Sequence, residues 1–134
     1  LDILVVDDSF PVRKYMEHKL EELAQFPVRL SFASSGDEAI RKTSRHDYGL
    51  IFLDVMMEGI DGYKVCKQIK SNKGAYVVML TSKKSPFDKV RGTMSGCDAY
   101  ITKPPEDARL LEELRKGLSR RKEHYVDIAQ AQTS

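Results

Sequence analysis

Hydrophobic residues follow two alternating patterns along the chain. Short, continuous apolar runs at residues 3–6, 50–53 and 77–80 are typical of strands buried on both faces of a parallel sheet. Apolar and polar residues alternate over residues 28–32, which predicts a strand with one wetter face at the edge of a sheet. Residues 99–102 are predicted to form a fifth strand.

Between these runs, apolar residues recur every three or four positions, the spacing of amphipathic helices. Ser9 is predicted to cap the first helix, and Pro11 is tolerated in its first turn because an amide hydrogen would have no partner there. Five strands alternating with five helices predict an α/β fold with a parallel sheet and right-handed crossovers. The positions that mark the helices are Val12, Tyr15, Met16, Leu20 and Leu23; Ala39, Ile40 and Thr43; Val65, Cys66 and Ile69; Phe87, Val90 and Met94; and Leu110, Leu111, Leu114 and Leu118.

The apolar pattern stops after Leu118. Residues 119–124 are polar, and residues 129–134 offer little to bury. A chain of 134 residues suits one domain and leaves no room for two ordinary ones. We therefore predict a single domain over residues 1–118, followed by a tail or linker over residues 119–134.

The composition mainly excludes classes of protein. With 41% hydrophobic and 31% charged residues, the chain has the balance of a soluble globular protein. It has no apolar run near the roughly 18 residues that a membrane span needs. A net charge of +2 gives no reason to expect nucleic acid as a partner. Cys66 and Cys97 make neither a disulfide framework nor a zinc knuckle, so a cytoplasmic location is expected.

Polar side chains with related chemistry follow four of the apolar runs. Asp7 and Asp8 follow the first run, Asp54 closes the third, Thr81 follows the fourth and Lys103 follows the fifth. In open α/β sheets, ligands bind outside the carboxyl ends of the strands. Three crowded carboxylates resist joint ionisation unless a cation neutralises them, and Mg²⁺ prefers a few carboxylates together with phosphate oxygens.

The strand ends therefore predict a site for a hard cation and a phosphoryl group. A hydroxyl and an ammonium group can hold the phosphoryl oxygens, and an aspartate carboxylate can itself be the nucleophile that forms an acyl phosphate. The competing interpretation is that these residues only cap helices and form turns. That interpretation is adequate for Asp7 and Asp8 alone, but it accounts poorly for four strand ends together.

Five segments in chain order resemble the receiver domain of two-component response regulators. The resemblance runs in register from Ile3 to about Leu118. It implies a flavodoxin-like, doubly wound fold with a five-stranded parallel sheet in the order 2-1-3-4-5. The segments read VVDDS at residues 5–9, FLDVMM at 52–57, DGY at 61–63, MLTS at 79–82 and YITKP at 100–104.

The resemblance implies a phosphorylation-activated signalling switch of the bacterial two-component type. Asp54 is the implied phosphoacceptor, which takes its phosphoryl group from a phosphohistidine on a partner kinase. Mg²⁺ is the implied cofactor. Its implied ligands are Asp8, Asp54 and the backbone carbonyl of Met56, with Asp7 helping directly or through water.

Three further residues have implied roles. Thr81 would donate a hydrogen bond to the bound phosphoryl group, and Lys103 would form an ion pair with it. The bond between Lys103 and Pro104 is expected to be cis. Tyr100 matches the aromatic position that changes rotamer when Thr81 moves toward the phosphate.

Partners and activity also follow from the resemblance. The expected partners are a sensor histidine kinase or phosphotransfer protein, and a downstream output domain or target that binds the 87–118 face. This domain is not expected to bind nucleic acid or a membrane directly. Self-phosphorylation and slow autodephosphorylation are the only implied activities, so the chain is expected to be a switch rather than an enzyme.

The sequence departs from the family pattern in the loop after the phosphoacceptor. Glu58 stands where a proline is usual. The positions two residues after the acceptor and two after the threonine, here Met56 and Lys83, are expected to control access of the attacking water. Because Met56 is bulky and apolar, it cannot orient water, so we expect a long-lived phosphoryl group.

Three other functions fit the sequence less well. A phosphatase of the haloacid-dehalogenase type needs a second acid two residues after the nucleophile, and Met56 occupies that position. Receiver-like modules that never accept phosphate usually lack one of the acidic pair, the acceptor or the lysine, and this chain has all of them. A flavodoxin-like electron carrier would need a hydroxyl-rich loop after the first strand to cradle a phosphate.

Overall fold

The part of the chain that the structure describes forms one sheet of five parallel strands: β1 (Asp2–Val6), β2 (Arg29–Ala33), β3 (Leu50–Asp54), β4 (Tyr76–Thr81) and β5 (Ala99–Thr102). The computed structural model describes residues 1–57, 59, 61–72, 75–82 and 87–133, with Asn72 and residues 121–133 described by backbone alone. The strands pair in the order β2-β1-β3-β4-β5. This order and the edge position of β2 confirm the predicted fold.

Within the described residues, five helices connect and follow the strands: α1 (Phe10–Leu23), α2 (Gly36–Arg45), α3 (Gly62–Asn72), α4 (Lys89–Ser95) and α5 (Asp107–Thr133). The predicted start of α1 is confirmed, because the Ser9 side-chain oxygen accepts a hydrogen bond from the Val12 N–H at 3.4 Å and Pro11 lies in the first turn. Ser35 caps α2 in the same way, with its side-chain oxygen accepting from the N–H of Glu38 at 3.1 Å.

The core lies on both faces of the sheet. Successive residues of a strand point to opposite faces, so a continuous apolar run supplies both layers at once. In β1, for example, Leu4 and Val6 belong to the cluster under α2 and α3, whereas Ile3 and Val5 pack on the side of α1 and α5. All four side chains are fully buried. The central runs were therefore correctly predicted as strands covered on both faces.

Helix α4 presents the opposite face from the one that its apolar residues predicted. Val90 and Met94 are 69% and 71% exposed, while Gly92 and Ser95 are buried. Gly92 approaches the ring of Phe87 so closely that a Cβ atom there would lie 2.0 Å from Phe87 Cζ. The helix packs through its small residues because they allow this close approach, and its large apolar side chains are left at the surface.

Helix α5 continues beyond the point where its apolar stripe ends. Leu110 and Leu114 are fully buried, and the helical backbone then runs past Leu118 to Thr133. The segment after Leu118 contains no proline or glycine to end the helix. A domain boundary at residue 118 stays a prediction. No helix in the described part of the chain combines the length and the apolar character that crossing a bilayer requires.

Candidate functional site

Three carboxylates meet at the carboxyl ends of two central strands. Val6 of β1 is in register with Leu53 of β3, and the next residues along the two strands are Asp7 and Asp54. Together with Asp8, they place carboxylate oxygens within 4.8 Å of one another. Asp7 and Asp54 are buried, whereas Asp8 is exposed. Two carboxylates of the cluster are therefore buried, and the third is exposed to solvent.

Lys103 connects two of these carboxylates. It follows β5, and its Nζ lies 3.2 Å from Asp7 Oδ2 and 3.3 Å from Asp54 Oδ1. The Asp7 carboxylate also accepts a hydrogen bond from the Ser9 N–H at 2.9 Å, and the Asp54 carboxylate accepts one from the Met56 N–H at 3.1 Å. The peptide bond that follows Lys103 is cis, as predicted. The lysine thus lies inside the acidic cluster.

The electrostatics of the site favour binding of a cation. Burial, and next the negative charge of Asp7, together raise the pKa of Asp54 from its ordinary 3.8 to about 6. The Lys103 ammonium and the Met56 N–H oppose this rise without cancelling it. A cation that binds beside such a carboxylate stabilises its ionised form and lowers its pKa. All three acidic side chains offer hard oxygen ligands, and this set fits a divalent cation such as Mg²⁺.

Thr81 and Tyr100 lie on neighbouring strands at the same side of the sheet. Thr81 ends β4, is buried, and donates its hydroxyl to the Ser82 carbonyl at 3.5 Å. Its own carbonyl accepts the Lys103 N–H at 2.6 Å. Tyr100 lies in the middle of β5, is 41% exposed, and stacks on the ring of Phe87 with centroids 4.1 Å apart. In this structure the tyrosine ring is therefore on the surface.

The loop after Asp54 is held close to that residue. Met56 is 62% exposed and pairs with Asp61 in an antiparallel bridge. At Gly62, a Cβ atom would lie 2.4 Å from the Asp54 carbonyl oxygen, so only glycine allows α3 to begin this near to the strand. Glu58 and Lys83, which depart from the family pattern or are expected to control water access, lie outside the described residues.

Two arginines near the site were not recognised from sequence. Arg13 donates from its guanidinium to the Asp7 carbonyl at 2.6 Å, and Arg91 of α4 forms an ion pair with Asp61. Arg13 lies on the first turn after the Ser9 cap, which is the only local sign of its position. Nothing in the local pattern around Arg91 indicates a partner 30 residues earlier in the chain.

Comparisons with known sequences agree with this geometry. A sequence model of the family described as response regulator receiver domain matches residues 3–115. The transcriptional regulatory protein ResD of Bacillus subtilis is 42% identical over 102 residues, which cover 76% of this chain and 41% of ResD. Protein PilG of Pseudomonas aeruginosa is 36% identical over 118 residues, covering 86% of this chain and 85% of PilG. The chain thus spans well under two thirds of ResD but most of PilG.

Solved structures show the same fold. The chemotaxis protein CheY4 of Vibrio cholerae superposes with a TM-score of 0.76 at 28% identity, covering 86% of this chain and 96% of that one. A CheY-like receiver domain protein from Methanospirillum hungatei superposes with a TM-score of 0.75 at 30% identity, covering 90% and 97%. A receiver domain of a signal transduction histidine kinase from Syntrophus aciditrophicus gives 0.75 at 34% identity, covering 88% and 89%.

Proposed function

The chain belongs to the response regulator receiver family of two-component signalling, and on that premise we propose that Asp54 accepts a phosphoryl group from a histidine kinase in the presence of Mg²⁺. The observation that carries the proposal is the cluster of Asp7, Asp8 and Asp54, whose oxygens lie within 4.8 Å of one another. The Lys103 ammonium reaches into the same cluster at 3.3 Å from Asp54. A phosphoryl group on Asp54 would thus lie close to the proposed cation ligands and to the Lys103 ammonium.

The proposed reaction transfers a phosphoryl group between two side chains. A carboxylate oxygen of Asp54 attacks the phosphorus of a phosphohistidine, the new O–P bond forms as the P–N bond breaks, and the imidazole leaves with the bonding electrons and takes up a proton. Mg²⁺, when bound, would neutralise negative charge on the carboxylates and on the incoming phosphoryl group. Asp8 and Asp54 would hold it with the Met56 carbonyl, and Asp7 would help directly or through water.

Lys103 and Thr81 are the proposed partners of the bound phosphoryl group. The ammonium already lies 3.2 Å from Asp7 and 3.3 Å from Asp54, so pairing with a phosphoryl group on Asp54 would need little movement. Among the described residues, the Thr81 hydroxyl donates a long hydrogen bond to the Ser82 carbonyl at 3.5 Å. A phosphoryl oxygen would be a stronger acceptor than this carbonyl, because hydrogen bonds to charged groups are the stronger ones.

The surface around α4, β5 and α5 is the proposed site for a downstream partner. Val90, Met94 and Tyr100 expose apolar surface there, at 69%, 71% and 41%. A groove of about 1030 Å³ lies along β5 and extends to Lys103 at the carboxylate cluster. An output domain or target protein that binds this 87–118 face would therefore be close to the proposed phosphorylation site. No catalysis beyond self-phosphorylation and slow loss of the phosphoryl group is proposed.

Labelling with a small phosphodonor tests the proposal. Incubation with acetyl phosphate and Mg²⁺ should add the mass of one phosphoryl group, stable in acid and labile in base, which peptide mapping should place on Asp54. Asp54→Asn should not be labelled. Asp37→Asn, which removes an exposed carboxylate on α2, serves as the matched control and should be labelled normally. Labelling of Asp54→Asn at the same rate would refute the assignment.

A further inference from the structure

The acceptor loop, which is the segment between Asp54 and the start of α3, is connected to the start of α4 through Asp61. Met56 donates its N–H to the Asp54 carboxylate and pairs with Asp61 in the antiparallel bridge. The two oxygens of the Asp61 carboxylate have different partners. One accepts the Tyr63 N–H at 2.8 Å and so caps α3, and the other accepts a hydrogen bond from the Arg91 guanidinium. A movement of this loop would therefore displace Asp61 and, with it, the Arg91 side chain of α4.

Arg91 and Asp61 both act on Tyr63. The Arg91 guanidinium carbon lies 4.4 Å from the centre of the Tyr63 ring, a cation–π contact. Tyr63 is buried, and its hydroxyl accepts the Asp88 N–H at 2.8 Å. Asp88 in turn caps α4, because its carboxylate accepts the N–H groups of Val90 and Arg91 at 3.0 and 3.2 Å. The Tyr63 hydroxyl thus holds the residue that caps α4.

The Phe87 ring contacts both Tyr63 and Tyr100. Its ring centre lies 6.0 Å from that of Tyr63 and 4.1 Å from that of Tyr100, with only 11° between the two stacked planes. Gly92 also lies against the Phe87 ring, since its backbone leaves no room there for a Cβ atom. When one closely packed group moves, its neighbours must move as well, because little empty space separates them. Phe87 is therefore held between Tyr63, Gly92 and Tyr100.

We propose that Phe87 holds the Tyr100 ring at the surface, and that the Asp61–Arg91 pair sets the position of Phe87. Asp61, Arg91, Tyr63, Phe87 and Tyr100 then form a line of contacts from the acceptor loop to β5 that does not include Thr81. Arg91 and Phe87 are positioning residues in this arrangement. The coupling is a property of the unmodified chain; only its consequence for a downstream partner rests on the proposed function.

The coupling can be measured at Tyr100 itself. Protein labelled with 3-fluorotyrosine gives one fluorine resonance for each tyrosine, and Tyr100→Phe identifies the resonance of interest. Asp61→Asn removes the charge that pairs with Arg91 but keeps an oxygen that can cap α3. We expect Asp61→Asn and Arg91→Gln each to move the Tyr100 resonance by more than its line width. Arg41→Gln makes the same substitution at an exposed position on α2 and should leave it in place.

A double-variant cycle tests the route. In a Phe87→Leu background, which lacks the stacked ring, adding Arg91→Gln should no longer move the Tyr100 resonance. In a Thr81→Val background, Arg91→Gln should move it as much as in the unaltered chain. Thermal unfolding checks that each variant is folded, and Phe87→Met replaces Phe87→Leu if the leucine variant is not.

These measurements use neither Mg²⁺ nor a phosphodonor, so their failure is distinct from a failure of labelling at Asp54. A Tyr100 resonance unmoved by both Asp61→Asn and Arg91→Gln would overturn the proposal. So would an equal shift with and without Phe87, because the coupling would then bypass the stacked ring. A shift that disappears in the Thr81→Val background would also overturn it, since the route would then run through the threonine.

Discussion

Replacing Asp54 with asparagine should stabilise the metal-free protein, although the residue lies at the centre of the proposed site. Asparagine has nearly the same shape, can still accept the Met56 N–H, and carries no charge. Asp54 is buried beside Asp7, and together these raise its pKa from 3.8 to about 6. Since the folded state favours the protonated carboxyl, ionisation of Asp54 at neutral pH works against folding.

The magnitude follows from the pKa. Moving a pKa by one pH unit corresponds to about 1.4 kcal/mol, so the difference between 3.8 and about 6 corresponds to about 3 kcal/mol. Below pH 4, Asp54 is protonated in both folded and unfolded chains and costs nothing. Between pH 4 and 6 the folded chain binds the extra proton, so its stability falls as pH rises. Above pH 6 the full cost remains.

Urea unfolding in the presence of a chelator measures the effect. The free energy of unfolding of Asp54→Asn should exceed that of the unaltered chain by about 3 kcal/mol at pH 7.5, and the difference should shrink toward zero near pH 3.5. Added Mg²⁺ at about ten times its Kd should stabilise the unaltered chain by about 1.4 kcal/mol. Asp54→Asn should gain less, because it has lost one ligand charge.

The control is Asp37→Asn, which removes a carboxylate that is exposed on α2. At pH 7.5 the free energy of unfolding of Asp37→Asn should not exceed that of the unaltered chain, because the side chain at position 37 is exposed to water. If Asp54→Asn is no more stable than the unaltered chain at pH 7.5, the argument from burial and the charge of Asp7 is wrong. A gain that is the same at pH 3.5 and 7.5 would also contradict it, because it would not come from ionisation.

The remaining predictions concern the cation, the phosphoryl lifetime and the switch. Asp8→Asn should weaken Mg²⁺ binding by calorimetry about tenfold, or 1.4 kcal/mol, through loss of an anionic ligand; unchanged affinity would remove Asp8 from the site. Met56→Asn should speed loss of the phosphoryl label, because a polar side chain at this exposed position can orient water; an equal or slower decay contradicts this. Bound beryllofluoride should draw the Thr81 hydroxyl to the acceptor and bury the Tyr100 ring, now 41% exposed, and a crystal structure with both unmoved rules the switch out.

Local sequence patterns were sufficient for the order of the elements. The strands were predictable because an apolar run such as Leu50–Leu53 can only be buried on two faces at once, and that requires a covered parallel sheet. The start of α1 was predictable because Ser9 bonds to an amide three residues away. The candidate site was predictable to the extent that parallel strands end at one edge, which brings Asp7, Asp54 and Lys103 together without any knowledge of distances.

The resting contacts of the site were decided by tertiary structure. Lys103 contacts both Asp7 and Asp54. This contact requires the sheet order β1-β3-β4-β5, which depends on the crossovers and not on local periodicity. The raised pKa of Asp54 likewise depends on burial and on a neighbour from another strand. Sequence spacing names the groups but carries no measure of the water or charge around them.

Helix α4 shows most clearly what the sequence by itself determined and what it left to the fold. Its helical conformation was predicted from the spacing of Phe87, Val90 and Met94, since local periodicity is enough to favour a helix. Which face is buried depended on the Phe87 ring, which precedes the helix and covers Gly92. The surface therefore received the apolar side chains of Val90 and Met94. Propensity and period are properties of neighbouring residues, whereas burial is a property of whatever the chain brings against them.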